Sequence, residues 1–205
     1  MKVALTTVLA GTLLVLSNVG LAKGDAEKGK ALAASCSACH GADGNSTNPE
    51  WPKLAGQSEA YLVKQLNDYR SGKRENAVMN GMAKAIPSDE AVEHLAAYFA
   101  SQAAEPGVAD PEAKVEEGRL LYKGGKISTG VTACAACHGP TGNGNDGAKF
   151  PKISGQHSKY LMTQLRDFRE GTRANDSNKM MQDIANRMSD KDMRAVVEYI
   201  AGLRD

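Results

Sequence analysis

Aromatic residues are scarce in this chain of 205 residues: one Trp, three Phe and six Tyr, 5% in all. So few bulky rings leave little with which to fill a core, and if the chain divides in two, each small domain is marginal by itself. Something else has to supply apolar volume. A surplus of one charge is also lacking, since 25 Lys+Arg face 24 Asp+Glu for a formal +1. That balance argues against nucleic acid as the main partner, because neutralising phosphates needs a basic excess. Long hydrophobic runs are missing too. The apolar stretch from Val8 to Leu16 falls short of the roughly 20 residues that span a bilayer. Cysteines number only four.

What is present begins with an export signal. Lys2 is the only charge before Lys23, the Val8–Leu16 run follows it, and Gly20-Leu21-Ala22 places small residues at both cleavage-determining positions. Residues 1–22 read as a secretory signal peptide cut after Ala22, which predicts a periplasmic mature chain with no transmembrane segment. In that compartment four cysteines suggest two disulfides by default, so their spacing decides.

The mature sequence repeats itself. Trp51 to Arg74 aligns without gaps on Phe150 to Arg173, with 12 of 24 positions identical. Upstream, Cys36-Ser-Ala-Cys39-His40-Gly41 matches Cys134-Ala-Ala-Cys137-His138-Gly139. Downstream, Ser88 to Gln102 matches Ser189 to Leu203 in pattern. A period this long is a duplicated domain and not a solenoid repeat. The expected division is a domain over 23–102, a linker over 103–110 and a second domain over 111–205. Each half predicts helices and no convincing strand: about 26–39, 58–71 and one opened by Ser88, then about 111–123, 157–170 and one opened by Ser189. The fold class is all-α, twice.

All four cysteines fall in two CxxC pairs, each followed at once by histidine. C-x-x-C-H is the attachment signature of c-type haem. Two thiols three residues apart reach two vinyl groups of one porphyrin as thioethers, and the adjacent imidazole lies under the iron. A thioredoxin-like motif would need a βαβ pattern. A zinc site would need four ligands close together. Two disulfides would leave both histidines unexplained. The reading is therefore two covalent haem c groups held by Cys36, Cys39, His40, Cys134, Cys137 and His138. The porphyrins would also supply the missing core.

The sixth iron ligand separates electron transfer from reaction chemistry. His94 and His157 stand at non-equivalent places in the two halves and read as ordinary helix-face residues. Methionine fits better, and three registers are open: Met82 with Met181, Met79 with Met180, or Met79 with Met181. The last is preferred because it also matches Val78 with Met180, Met82 with Ile184 and Ala83 with Ala185. Met162, Met188 and Met193 stand opposite no methionine and read as core.

Cys36 to Ser46 (CSACHGADGNS), Pro52-Lys-Leu-Ala-Gly-Gln57, Leu95-Ala-Ala-Tyr-Phe99, Gly155-Gln-His-Ser-Lys-Tyr160 and Asp167-Phe-Arg-Glu-Gly171 together resemble the cytochrome c4 family, over essentially the whole mature chain. The resemblance implies two tandem class I cytochrome c domains related by a pseudo-two-fold axis. It implies His40 with Met79 and His138 with Met181 as iron ligands. The segment from Met79 to Ser88 is one residue longer than that from Met181 to Ser189. Pro52 and Pro151 are either acceptors for the proximal His Nδ1–H, as in similar cytochromes, or plain loop prolines. Arg70 and Arg169 either pair with haem propionates or sit at surface helix ends.

The function so predicted is a non-enzymatic electron shuttle between a quinol-oxidising complex and a terminal oxidase or reductase. The alternatives are an electron-accepting dehydrogenase subunit and a dihaem peroxidase, which needs one distal Met to be missing. Charge divides as −2 over Lys23 to Pro106 and +2 over Gly107 to Asp205, by count along the sequence. That asymmetry suggests oriented docking, or simply a solvated surface.

Overall fold

The computed structural model describes residues 24–204; the expected signal peptide and its cleavage after Ala22 lie outside the described residues. The described chain forms two helical halves. The first comprises α1 (Ala26–Leu32), α2 (Ala34–His40), α3 (Glu59–Ser71), α4 (Met79–Lys84) and α5 (Asp89–Ser101). The second comprises α6 (Val115–Gly124), α7 (Ala135–His138), α8 (Ser158–Glu170), α9 (Met180–Asn186) and α10 (Asp190–Gly202). Extended pairing among the described residues is limited to two isolated bridges, Lys126 with Val131 and Asn145 with Phe150.

Local chemistry sets the helix limits. Ser58 Oγ accepts the Tyr61 N–H at 3.1 Å to open α3, and Ser88 Oγ accepts the Ala91 N–H at 3.0 Å to open α5. Ser189 and Asp192 cap each other's backbone to open α10, each such cap satisfying an otherwise orphaned amide. The single first helix expected over 26–39 is two, because the chain breaks step at Ala33 between α1 and α2. Seven residues separate Gly29 from Cys36, whereas sixteen separate Gly118 from Cys134. The extra length forms a loop with a short 3₁₀ turn at Ile127–Thr129.

In each half the first helix crosses the last at a glycine. A β-carbon on Gly29 would lie 1.9 Å from the His94 carbonyl oxygen, and one on Gly118 would lie 2.0 Å from that of Ala195. The α5 face adds Leu95, Ala96, Tyr98 and Phe99 to a small core with Ala33 and Leu62. The second core is larger: Tyr122, fully buried, packs with Leu121, Leu161, Phe168, Met193, Val196, Tyr199 and Ile200. Tyr98 donates to Ala42 O at 2.7 Å and Tyr122 to Gly139 O at 2.6 Å, so each half ties the turn after its CxxCH motif to a long helix.

The connection between the halves has no regular structure but is tied down. Asn45 donates to Ala103 O and accepts from Glu105 N, both at 2.9 Å, while the Lys53 ammonium donates to Glu105 O at 3.1 Å. Farther on, Asp110 N donates to Glu198 Oε2 at 2.9 Å.

The extra loop is anchored by Lys126, whose Nζ lies 2.9 Å from both Asp192 carboxylate oxygens. Burial acts to raise the Asp192 pKa, but the Ser189 and Lys126 hydrogen bonds outweigh it and hold the carboxyl below its ordinary value. A depressed carboxylate stabilises the fold above its unfolded pKa, about 3.9, and that contribution is lost as pH falls through the lower folded value. Asp192→Ala is expected to cost about 1–2 kcal/mol at neutral pH, from the cap and the ion pair together. The gap between variant and parent should narrow in thermal melts taken at successively lower pH below about 4.

Candidate functional site

Both CxxCH motifs end a helix. α2 stops at Gly41 (φ 83°) and α7 at Gly139 (φ 80°), left-handed positions that turn the chain away directly after each histidine. His40 and His138 are buried, and Nδ1 of each lies 2.9 Å from a proline carbonyl, that of Pro52 and that of Pro151 respectively. A carbonyl oxygen only accepts, so Nδ1 carries the proton and Nε2 keeps its lone pair. The two prolines are therefore acceptors as well as loop residues. Burial lowers both imidazole pKa values and outweighs the proline hydrogen bonds that raise them. Each ring is thus a neutral imidazole fixed in one tautomer, the form that binds metal.

No disulfide joins the sulfurs of either CxxC pair. Burial pushes Cys36 upward and Cys134 to about 11. A redox-active CxxC needs a thiol pKa lowered by its surroundings, and these move the other way. Among the described residues no group of three or more His, Cys, Asp or Glu is placed to hold a metal ion.

One continuous cavity of about 910 Å³ runs through both halves. Cys36, Cys39, His40, Cys134, Cys137 and His138 all line it, as do Met79, Met82, Met180 and Met181. Met79 opens α4 with its N–H on Asn76 Oδ1 at 2.9 Å, and the Met181 N–H lies 2.8 Å from Asp176 Oδ2. Met181 packs against the second core, whereas Met180 is 36% exposed. Ala83 and Ala185, matched in the preferred register, are the buried residues of α4 and α9. His94 and His157 do not line the cavity. His94 Nδ1 accepts from Asp25 N at 2.9 Å, and His157 Nε2 donates to Ser46 O at 2.8 Å.

Arg70 and Arg169 are also away from the cavity, each pairing with the first residue of a last helix, Asp89 and Asp190. The arginines that do line it are Arg74 and Arg173, both buried. Arg74 donates to Gln65 and Gln164 Oε1 at 2.7 Å each, and Arg173 donates to Gln164 Oε1 at 2.8 Å and to the Tyr61 hydroxyl at 3.0 Å. Their guanidinium carbons lie 4.7 Å over the Tyr69 ring and 4.4 Å over the Phe168 ring. Arg74 thus bonds Tyr160 and Gln164 while Arg173 bonds Tyr61 and Gln65, the reciprocal use of one patch that goes with a pseudo-two-fold relation. In the sequence they are marked only by repetition: Gln57, Tyr61 and Gln65 recur as Gln156, Tyr160 and Gln164 at a spacing of four. Such identity of polar residues between the halves was the available signal.

The residues fit haem. Four cysteines and two neutral imidazoles line an apolar cavity, and the thioethers of α4 and α9 line it too. Two buried guanidiniums line the same cavity, a positive charge complementary to the two propionates that a haem carries.

A family model for cytochrome c matches twice, over residues 26–103 and 115–204. Cytochrome c4 of Pseudomonas aeruginosa is 51% identical over 198 residues, covering 95% of this chain and 98% of that protein. This chain belongs to the cytochrome c4 family. The solved structure of reduced recombinant cytochrome c4 from Pseudomonas stutzeri superposes with a TM-score of 0.84 at 47% identity, covering 88% of this chain and all of that one. A protein of Stutzerimonas stutzeri named thiosulfate dehydrogenase electron acceptor is 38% identical, covering 95% of this chain and 94% of its own. As a cytochrome c4 family member the chain is an electron-transfer dihaem cytochrome, with one covalent haem c on each cysteine pair.

Proposed function

We propose that this cytochrome is an exported carrier rather than an enzyme, passing single electrons from a quinol-oxidising complex to a terminal oxidase or reductase in the periplasm. In this reading residues 1–22 are a cleaved signal peptide, and domains over 23–102 and 111–205 flank a linker over 103–110. His40 with Met79, and His138 with Met181, are the iron ligands. Each bound haem c supplies a one-electron ferric/ferrous couple.

The observation that carries this reading is that each half lines the cavity with a buried histidine and with methionines. A neutral imidazole and candidate thioethers line the cavity in both, which favours two filled irons over the open one that a peroxidase needs. The chain's own work is to hold those ligands: Pro52 and Pro151 orient the imidazoles, while Asn76 and Asp176 hold the Met79 and Met181 amides. Arg74 and Arg173 provide charge for the propionates. No described helix is long and apolar enough to cross a membrane.

The relative named as a thiosulfate dehydrogenase electron acceptor supports a second reading, in which the cytochrome is the acceptor subunit of a dehydrogenase. Stopped-flow reduction of the purified holoprotein separates the two. A carrier is reduced rapidly by membranes supplied with quinol and reoxidised by membranes containing a terminal oxidase. Reduction by thiosulfate and its dehydrogenase alone, with no exchange with membranes, overturns the shuttle. A pyridine haemochrome count other than two per chain, or a high-spin resting spectrum, removes the ligand assignment.

A further inference from the structure

The glutamines at the junction of the halves do more than hold it. Gln156 Oε1 accepts the Lys53 N–H at 2.9 Å, and Gln57 Oε1 accepts the Lys152 N–H at 2.8 Å. Each amide also donates to the carbonyl of the same lysine, at 2.9 Å and 2.8 Å. Both glutamines are buried. Their orientation is fixed by a second donor, because Ser58 N and His157 N point at the same Oε1 atoms at 2.9 Å and 3.0 Å. A flipped amide would set NH₂ against two N–H groups.

The Lys53 N–H and the Pro52 carbonyl belong to one peptide group, as do the Lys152 N–H and the Pro151 carbonyl. Those carbonyls accept from His40 and His138. The arrangement is a crossed relay, in which the glutamine of one half bonds the peptide that holds the proximal imidazole of the other. An acceptor on the N–H of a peptide polarises it and makes its carbonyl a stronger acceptor in turn. A stronger acceptor at Nδ1 leaves Nε2 a better donor to iron, which favours the ferric state.

We propose that Gln57 and Gln156 are positioning residues that lower the reduction potential of the haem in the opposite half. Docking of the halves thus sets the potential of each. The inference rests on His40 and His138 being the proximal ligands.

The test uses the dihaem holoprotein with Gln57→Met and Gln156→Met, which keep side-chain length and lose the amide. Potentials are followed haem by haem, and the ferric proximal-histidine ring resonances are read by paramagnetic NMR. Gln57→Met is expected to shift the ferric/ferrous equilibrium of the C-terminal haem about threefold toward ferrous, roughly 30 mV at 59 mV per tenfold for one electron. The N-terminal haem stays put, and Gln156→Met gives the converse. Gln57→Glu, which retains an acceptor oxygen, is expected not to raise the C-terminal potential. A shift in the same-half haem, an equal shift in both, or none overturns the relay. So does small-angle scattering that shows the halves undocked, since the glutamines then act only as adhesive. His138→Ala with an unchanged low-spin C-terminal haem would instead overturn the ligand assignment, whereas unmoved potentials with that assignment intact sink the relay alone.

Discussion

Met79→Ala and Met181→Ala are each expected to turn one haem of the pair high-spin and to abolish half of the weak far-red band that marks methionine–iron bonding. Met82→Ala and Met180→Ala are expected to leave both haems low-spin. The reason lies in how the four thioethers are held. The Met79 and Met181 amides are each fixed by a side chain at the helix start, and Met181 is packed against the core while Met180 is partly solvated. The potential of the affected haem should fall by a substantial part of the ~0.8 V over which axial ligands set haem potentials, since a thioether favours ferrous iron. Optical spectra with redox titration decide it. Loss of the band in Met82→Ala with its retention in Met79→Ala would reverse the assignment in the first half.

Gly118→Ala is expected to be the most destabilising single-methyl change in the second half. Its β-carbon would stand 2.0 Å from the Ala195 carbonyl oxygen and 2.9 Å from the Tyr199 β-carbon. Backbone cannot rotate aside as a flexible side chain can, so α6 and α10 must separate along their crossing. The expected cost is about 3–5 kcal/mol, above the usual ~1–3 kcal/mol for overpacking because the clash is with backbone. That is a large share of the total for a small domain. Gly124→Ala is the matched control on the same helix, with no atom within 4 Å of its β-carbon. It should be neutral or stabilising by up to about 1 kcal/mol. Chemical denaturation of both holoproteins gives the comparison, and equal midpoints would disprove the crossing argument.

The sequence was most readable where the determinant is local. Ser88 and Ser189 place the starts of α5 and α10, and the CxxCH spacing marks the haem sites without reference to distant residues. The break at Ala33 escaped, because no Pro or Gly marks it and α1 and α2 merely shift phase. The loop before Cys134 escaped in shape, since its form comes from Lys126 reaching Asp192 in the last helix. Arg70 and Arg169 drew notice as recurring residues, yet Arg74 and Arg173 line the cavity. Both pairs recur, and which of them faces inward depends on how the halves meet. The Gln57 and Gln156 contacts span 95 and 103 residues, a distance over which no sequence pattern specifies a partner.

The tied connection between the halves has a consequence for how far they are free to differ. A chain joined this way meets its own second half at an effective concentration in the millimolar range or above, so the junction persists at any dilution. In a homodimer, every useful substitution at a two-fold interface would be imposed twice. Here Lys64 forms an ion pair with Asp68 and reaches across to Asn175 O at 2.8 Å, while the aligned residue of the other half is Thr163. Two halves on one chain are free of that constraint, and at this position their electrostatic surroundings differ.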